Sequence, residues 1–180
     1  MSNENPHAER AVPFAMTLQV RDGCLCLHAQ RAARVLARRF DEVLKPIGLT
    51  NGQFSLLMSL NRPAGAGVGQ GRGPCGNGQG ARRVADTAEV AMRDVATLLG
   101  MDRTTLTAAA KTLERRGLLL VVVDAADRRA RFLRLTEAGL AVLAEAVPIW
   151  KHEHALLDRE FHGKGAGVSG LLQDFRLLAG

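Results

Sequence analysis

The sequence predicts a mainly α-helical protein with one small β-hairpin, an α+β fold, and three observations support this prediction. Apolar residues recur at helical steps of three and four over most of the chain. Glycine and capping residues divide these stretches into separate helices. Two strand-like runs lie between residues 118 and 135, with a short polar turn between them.

Composition and charge favour a globular protein with an anionic partner. The 180 residues suit one domain with arms, and 47% of them are apolar, which is enough for a sizeable core. The net charge of +6 favours nucleic acid over a membrane surface as partner. The sequence contains neither a membrane-length apolar run nor a signal peptide, and its three cysteines form no paired framework. We therefore expect a cytoplasmic protein.

Five segments are expected along the chain. They are an N-terminal arm, a first long helix with a second helix, a flexible glycine-rich insertion, a compact lobe with the hairpin, and a long helix with a C-terminal helix (residues 1–21, 22–60, 61–88, 89–135 and 136–180). The insertion cannot bury a core, so we interpret it as a solvated loop, with a basic loop that reaches nucleic acid as the alternative.

The first long helix is expected from Asp22, because one apolar stripe begins there. Its members follow steps of four and three: Leu25, Ala29, Ala32, Leu36, Phe40, Val43 and Ile47. Pro46 and Gly48 end this helix. Thr50 and Gln53 form a capping-box pattern, which predicts the start of the second helix.

Two short helices joined by a glycine turn are expected after the insertion. Gly100 permits the turn, and Asp102 is a good N-cap for the next helix. That helix is expected to bury Leu106, Ala109, Ala110 and Leu113. The pattern is that of a helix-turn-helix, followed by the hairpin. Thr136 then caps the long helix, which Pro148 is expected to bend.

The second helix of this pair begins with threonines, although a branched Cβ makes threonine a poor helix former. In a helix-turn-helix this turn enters the DNA major groove, where short hydroxyls and an arginine can contact phosphates and base edges. We therefore expect DNA contacts from Arg103, Thr104, Thr105 and Thr107. The alternative is a plain surface helix with a threonine-rich start.

A family resemblance is carried by four stretches, "LKPIGLTNGQFSLLMSL", "LGMDRTTLT", "LERRGLL" and "DAADRRARFLRLTEAG". In this order they resemble the multiple antibiotic resistance regulator (MarR) family, over about residues 22–162 apart from the glycine loop. The resemblance implies a winged helix-turn-helix with N- and C-terminal dimerisation helices. It also implies a homodimeric repressor of a near-palindromic DNA operator, released by a small phenolic ligand or an oxidant.

The resemblance also assigns roles to residues of this chain. Asp127 and Arg129, with Arg128 between them, match the wing tip that places an arginine in the minor groove. The groove-facing positions match Arg103, Thr104, Thr105 and Thr107. The chain departs from the pattern where three alanines, at residues 108–110, replace the arginine or asparagine of many relatives, although Lys111 remains.

The terminal helices are expected to form a homodimer. Their apolar faces are larger than one small lobe can cover, and they consist of Leu25, Ala29 and Leu36 at one end and Leu171, Leu172, Phe175 and Leu178 at the other. The alternative is that these faces pack within the chain.

Four residues are candidates for sensing an effector: Cys24, Cys26, His28 and Trp150. The two cysteines point to different sides of a helix, so no disulfide is expected within the pair while the helix persists. The chain has no tyrosine, whereas the family's hydroperoxide regulators support their cysteine with tyrosines. We therefore expect a small aromatic or apolar effector, with thiol-based redox sensing by Cys24 or Cys26 as the alternative.

An enzyme is the remaining class, and the sequence disfavours it. No nucleophile–base motif, phosphate loop or metal triad is present. Cys24 and His28 share a helix face, but no compact set of four metal ligands surrounds them. We expect no catalytic residue, no cofactor and no metal.

Overall fold

The computed structural model describes residues 12–62, 88–123, 130–165 and 167–179. In chain order these residues form α1 (Phe14–Gly23), α2 (Leu25–Leu44), α3 (Asn51–Leu60), β1 (Val90–Ala91), α4 (Met92–Leu99), α5 (Arg103–Arg115), β2 (Leu119–Val123), β3 (Arg131–Leu135), α6 (Glu137–Phe161) and α7 (Gly167–Ala179). The expected fold class, mainly helical with a small antiparallel sheet, is confirmed.

The chain divides into two compact units, residues 1–39 and residues 40–180. In the first unit, α1 begins inside the segment that we expected to be an arm, residues 1–21, and ends two residues after it, and it has no buried residue. Cys24 has an extended backbone, with φ −80° and ψ 105°, which separates α1 from α2. The helix expected from Asp22 is therefore interrupted, at a point where Gly23 lowers the helix propensity.

The second unit has a leucine-rich core between its helices and its sheet. Its fully buried side chains include Leu44, Leu56, Leu57, Leu60, Val95, Leu106, Leu113, Leu119, Leu133 and Leu135. The capping box of α3 is confirmed, because the Thr50 hydroxyl accepts from the Gln53 backbone N–H at 3.2 Å and the Gln53 side chain accepts from the Thr50 N–H at 3.2 Å. This cap places Phe54 in the core.

The sheet has three antiparallel strands in the order β1-β3-β2. The predicted hairpin is confirmed, with Leu119 opposite Leu135 and Val123 opposite Arg131. The third strand, β1, was not predicted, and it pairs Val90 with Leu133. Just before it, the Ala88 N–H donates to the Arg62 carbonyl at 3.1 Å. This contact joins the two residues that flank the undescribed part of the insertion. Residues 63–87 between them lie outside the described part of the chain.

The start of α6 lies against the sheet at a glycine. Thr136 caps the helix by accepting from the Gly139 N–H at 3.0 Å, and its own hydroxyl donates to the Gly117 carbonyl at 2.7 Å. A Cβ added at Gly139 would overlap the carbonyl oxygen of Leu118. Only glycine therefore permits this close approach.

The two C-terminal helices complete the second unit. Pro148 lies inside α6, and the bend expected there stays a prediction. The residues of α7 from Leu171 to Leu178 are exposed. Among the described helices, none is long and apolar enough to cross a membrane.

Candidate nucleic-acid interface

The helix-turn-helix consists of α4, a glycine turn and α5. Gly100 adopts a left-handed backbone with φ 60°, and its N–H donates to the carbonyls of Ala96 and Thr97. Asp102 then caps α5, because its carboxylate accepts from the Thr105 N–H at 2.8 Å. The opposite face of α5 buries Leu106, Ala110 and Leu113, which leaves the first turn exposed. We call α5 the recognition helix.

The hydroxyls in the first turns of the recognition helix differ in their partners. The Thr105 hydroxyl donates to Asp102 at 2.5 Å, and the Thr107 hydroxyl donates to the Arg103 carbonyl at 2.7 Å. These two hydroxyls keep lone pairs to accept from DNA, but their protons are already used. The exposed Thr104 hydroxyl makes no hydrogen bond to any described residue, so it can both donate and accept.

The charge of Asp102 is stabilised by this cap. The hydrogen bond from the Thr105 hydroxyl, followed by that from the Thr105 backbone N–H, lowers the pKa of the Asp102 carboxyl below its ordinary value. A carboxylate at a helix N-terminus also interacts favourably with the helix dipole. The cap therefore favours the ionised form of the Asp102 carboxyl.

One exposed stripe runs along the recognition helix. It consists of Thr104, Ala108, Lys111 and Arg115, at helical steps of four, three and four. Of the three alanines that depart from the family pattern, Ala108 is exposed, whereas Ala109 is half-buried and Ala110 is buried. Position 108 is therefore the one of the three at which alanine stands on the exposed surface in place of a polar side chain.

A cleft of about 500 Å³ lies between the recognition helix and the hairpin. Three cationic side chains line it, Arg103 and Lys111 from α5 and Arg131 from β3. Glu114 also lines the cleft, and its Oε1 accepts from the Val121 N–H of β2 at 3.1 Å. We call this the α5–hairpin cleft. Sequence reasoning missed Arg131, although its place at the start of the second predicted strand was a signal.

The hairpin strands are described up to the predicted wing tip. Strands β2 and β3 are paired as far as Val123 and Arg131. Asp127, Arg128 and Arg129, which lie between these strands in the sequence, are outside the described residues. Their role in the minor groove stays a prediction.

Trp150 lies in a group of aromatic rings in the second unit. Its ring centroid is 4.1 Å from that of His154 and 6.4 Å from that of Phe54, and Phe40 lies 5.4 Å from His154. We call these four residues the aromatic cluster. The sequence pointed to Trp150 alone, although His154 follows it at a helical step of four and shares its face.

The other effector candidates lie in the first unit. Both Cys24 and Cys26 are free thiols, half-buried and exposed respectively. The premise that both cysteines lie on one continuous helix is wrong, because Cys24 has an extended backbone. His28 Nε2 lies 3.2 Å from the Asp22 carbonyl oxygen. Among the described residues, no three His, Cys, Asp or Glu side chains lie close enough together to hold a metal ion.

Comparison with known protein families indicates the class of protein. Residues 83–139 match the family model of the winged helix DNA-binding domain. This segment contains β1, the helix-turn-helix, the hairpin and the start of α6. The chain is therefore a winged helix DNA-binding protein. No curated protein sequence matches the chain.

Solved structures of transcriptional regulators resemble the chain over most of its length. The transcriptional regulator MosR of M. tuberculosis, in complex with DNA, is 29% identical, with 87% of this chain and 93% of that chain covered and a TM-score of 0.63. The transcriptional repressor CouR, bound to a 23-mer DNA duplex, is 26% identical, with 89% and 96% covered and a TM-score of 0.62. CouR from Rhodococcus jostii has also been solved with p-coumaroyl-CoA.

A third solved structure carries the family name and supports the fold. AbsC, a MarR family transcriptional regulator from Streptomyces coelicolor, is 22% identical, with 86% of this chain and 87% of that chain covered and a TM-score of 0.55. The chain is similar in fold to DNA-binding transcriptional regulators, MarR family members among them. Its relatives are regulators and not enzymes.

Proposed function

We propose that the protein is a homodimeric repressor that binds a near-palindromic operator and releases it when a small aromatic or apolar ligand binds. The observation that carries the proposal is the exposed first turn of the recognition helix beside a cationic cleft. The name of CouR, a repressor solved on DNA, supports the same role. An operator as partner also supports the expected cytoplasmic location.

The proposed DNA contacts follow from the placement of the side chains. Arg103 and Lys111 supply positive charge, and the exposed Thr104 hydroxyl is free to donate to a base edge. Thr105 and Thr107 contact DNA as acceptors or through their methyl groups. The wing-tip residues Asp127, Arg128 and Arg129 are proposed for the minor groove on the family resemblance alone.

The exposed apolar side chains of each unit support a homodimer. In the first unit, Phe14 is 73% exposed and Leu25 is 62% exposed. In α7 of the second unit, Leu177 is 78% exposed and Leu178 is 69% exposed. Apolar surface of this kind is costly to leave in water and marks protein interfaces. A two-fold dimer would present two recognition helices about one DNA turn, roughly 34 Å, apart.

The aromatic cluster supports an aromatic effector. Half-buried Trp150 lies against His154 and Phe54, and these rings offer stacking partners for a planar ligand. The CouR structure with p-coumaroyl-CoA supports an organic ligand as the effector. The ligand releases DNA if it prefers the dimer whose recognition helices no longer match the operator, and a preference of about 1 to 3 kcal/mol is typical.

A gel-shift titration tests the proposal. The full chain is titrated onto the DNA upstream of its own gene, with random-sequence duplex as competitor at fixed salt. We expect a complex that resists competitor and that has the stoichiometry of two chains per duplex. Equal affinity for the random duplex would contradict operator binding.

Thiol-based sensing is the second candidate, and the break at Cys24 favours it. Because Cys24 is extended and α2 begins only at Leu25, the two thiols are not held apart by one continuous helix. A hydroperoxide would oxidise the two thiols to a disulfide and would itself be reduced to an alcohol and water.

The test of thiol-based sensing is a Cys24→Ser, Cys26→Ser, Cys75→Ser triple variant on operator DNA. If only the wild type releases DNA on oxidation and recovers with a reducing thiol, redox sensing replaces ligand sensing.

A further inference from the structure

The loop between α2 and α3, residues 45–50, has a ring of the aromatic cluster on each side of it. Phe40 lies near the end of α2, and Phe54 lies in the first turn of α3. Both rings lie against α6, with the Phe40 centroid 5.4 Å from that of His154 and the Phe54 centroid 6.4 Å from that of Trp150. A shift of these rings would therefore move one or both ends of the loop.

The two ends of this loop are held together, so the loop moves as one piece. Asp41 Oδ1 accepts from the Asn51 N–H at 2.6 Å, which joins the end of α2 to the start of α3. Leu49 is buried in the core, and its N–H donates to the Leu44 carbonyl at 3.3 Å. A close-packed segment of this kind transmits a displacement and does not absorb it.

The middle of the loop is hydrogen-bonded to the end of the recognition helix. Arg116, the C-cap of α5, donates from Nη1 to the Gly48 carbonyl at 2.6 Å, across 68 positions of the chain. Gly48 has φ 70°, and a Cβ added there would lie 3.2 Å from Arg116 Nη2. The lack of a side chain at Gly48 therefore lets the guanidinium lie close to the loop. A hydrogen bond from a charged donor is stronger than one between neutral groups.

We propose that Arg116 is a positioning residue that couples the aromatic cluster to the recognition helix through the Gly48 carbonyl. A ligand that displaces the rings moves the loop, and Arg116 passes this movement to the C-terminal end of α5. The 13 residues of α5 span about 20 Å at 1.5 Å per residue, so a small tilt at Arg116 displaces the first turn at the other end. The inference rests on the proposed operator and effector binding, and it adds a link between them.

Charge alone gives Arg116 a different role, which a comparison with Arg115 separates. A cation near the C-terminus of a helix interacts favourably with the helix dipole. Arg115 supplies the same charge one residue earlier, on the exposed stripe of α5. Arg116 differs in that its guanidinium donates to a carbonyl of the α2–α3 loop.

The first experiment uses the emission of Trp150, which is the single tryptophan of the chain and reports on the aromatic cluster without a label. Wild type selects an operator from random duplexes, and the emission is recorded with and without saturating operator. Because coupling is reciprocal, operator binding at α5 should alter the emission in the absence of any ligand. A wild type that binds the operator without a change in emission would overturn the coupling and leave operator binding intact.

Three variants test whether the coupling depends on Arg116. Arg116→Met removes the charged donor and should lose the emission change at saturating operator, whereas Arg116→Lys keeps a cationic donor and should restore part of it. Arg115→Met makes the same charge change but leaves the bond to Gly48 in place, so it should keep the emission change. An unaltered emission change in Arg116→Met, or an equal loss in both methionine variants, would overturn the role of Arg116.

The fold is expected to survive these substitutions. Arg116 and Gly48 are both exposed, so water can replace the lost partner of the Gly48 carbonyl. Circular dichroism should show the helix content of wild type in each variant.

A double-mutant cycle tests the same link in the opposite direction. Trp150→Leu removes one ring of the aromatic cluster, and fluorescence anisotropy gives the operator Kd in the wild-type and Arg116→Met backgrounds. We expect Trp150→Leu to change the Kd by about two- to tenfold in the wild-type background and by less than about twofold with Arg116→Met. Equal changes in both backgrounds, or no change in either, would show that Arg116 does not carry the coupling. If wild type selects no operator, the proposed function itself is wrong.

Discussion

At the scale of single residues, hydrogen bonds give similar threonines different roles. Thr105 completes the cap of α5 with both its hydroxyl and its N–H, whereas the Thr104 hydroxyl has no partner in the described structure. The sequence shows hydroxyls at suitable positions, but it does not show which protons are already donated. That depends on side-chain rotamers, since a threonine hydroxyl can turn back to its own helix.

A pair of variants tests this separation. Thr104→Ala should weaken operator binding by about 0.5 to 1.5 kcal/mol, the net value of one hydrogen bond, and leave the Tm unchanged. Thr105→Ala removes the hydroxyl bond to Asp102 and should lower the Tm with less effect on binding. Anisotropy and thermal melting of both variants measure the two effects. The reverse ranking would show that the hydroxyl assignment is wrong.

The Asp102 cap predicts a dependence on pH. Hydrogen bonds from Thr105 lower the pKa of the folded Asp102 carboxyl below its ordinary value of 3.8. A lowered pKa adds stability above that ordinary value, and this stability is lost as the pH falls through the folded pKa. Asp102→Asn keeps a capping side chain without the charge. The Tm of wild type should exceed that of Asp102→Asn at neutral pH, and the difference should disappear in acid. A difference that stays constant down to the acid limit would contradict this cause.

At the scale of secondary-structure elements, the sequence predicted those elements that local signals define. The capping box of Thr50, the Gly100 turn and the Asp102 cap each placed a helix boundary correctly. Strand β1 has only two residues, too few to show an alternating pattern, and it exists because Val90 pairs with the distant Leu133. Such long-range pairing cannot be found in a local pattern.

The contact between α6 and the sheet predicts opposite effects for two glycine substitutions. Gly139→Ala should destabilise the fold by about 1 to 3 kcal/mol, because its Cβ would overlap the Leu118 carbonyl oxygen and crowd Leu135. Gly52→Ala should leave the stability unchanged or raise it, because its Cβ would lie 3.7 Å from Met101 Cε, an ordinary contact, and alanine favours the helix. Urea unfolding measures both. Equal effects would contradict the close approach at Gly139.

At the scale of the whole molecule, assembly of two chains and sensing of an effector are the properties hardest to predict from one sequence. Each unit exposes apolar side chains at its own terminal helix. The sequence predicted these faces, and in the proposed homodimer a second chain would cover them. The aromatic cluster was missed except for Trp150, since Phe40, Phe54 and His154 come together only through the packing of three helices.

The proposed homodimer predicts an effect of charge on α7. Phe175→Glu places a carboxylate on the apolar stripe of α7 and should shift the protein towards monomer. Gln173→Glu adds the same charge at an exposed residue off that stripe and should leave a dimer. Sedimentation velocity distinguishes the two states. A wild type that sediments as a monomer at micromolar concentration would contradict the dimer.

Recognition of an operator by the first turn of α5 is the central claim, and Arg103→Ala tests it most directly. The measurement is the Kd of wild type and of the variant for the selected operator, at the same salt, with a scrambled duplex as the control. We predict a loss of about 1 to 3 kcal/mol on the operator, a smaller loss on the scrambled duplex, and relaxed specificity at one base pair. If Arg103→Ala binds the operator as tightly as wild type does, α5 does not recognise the operator through this turn.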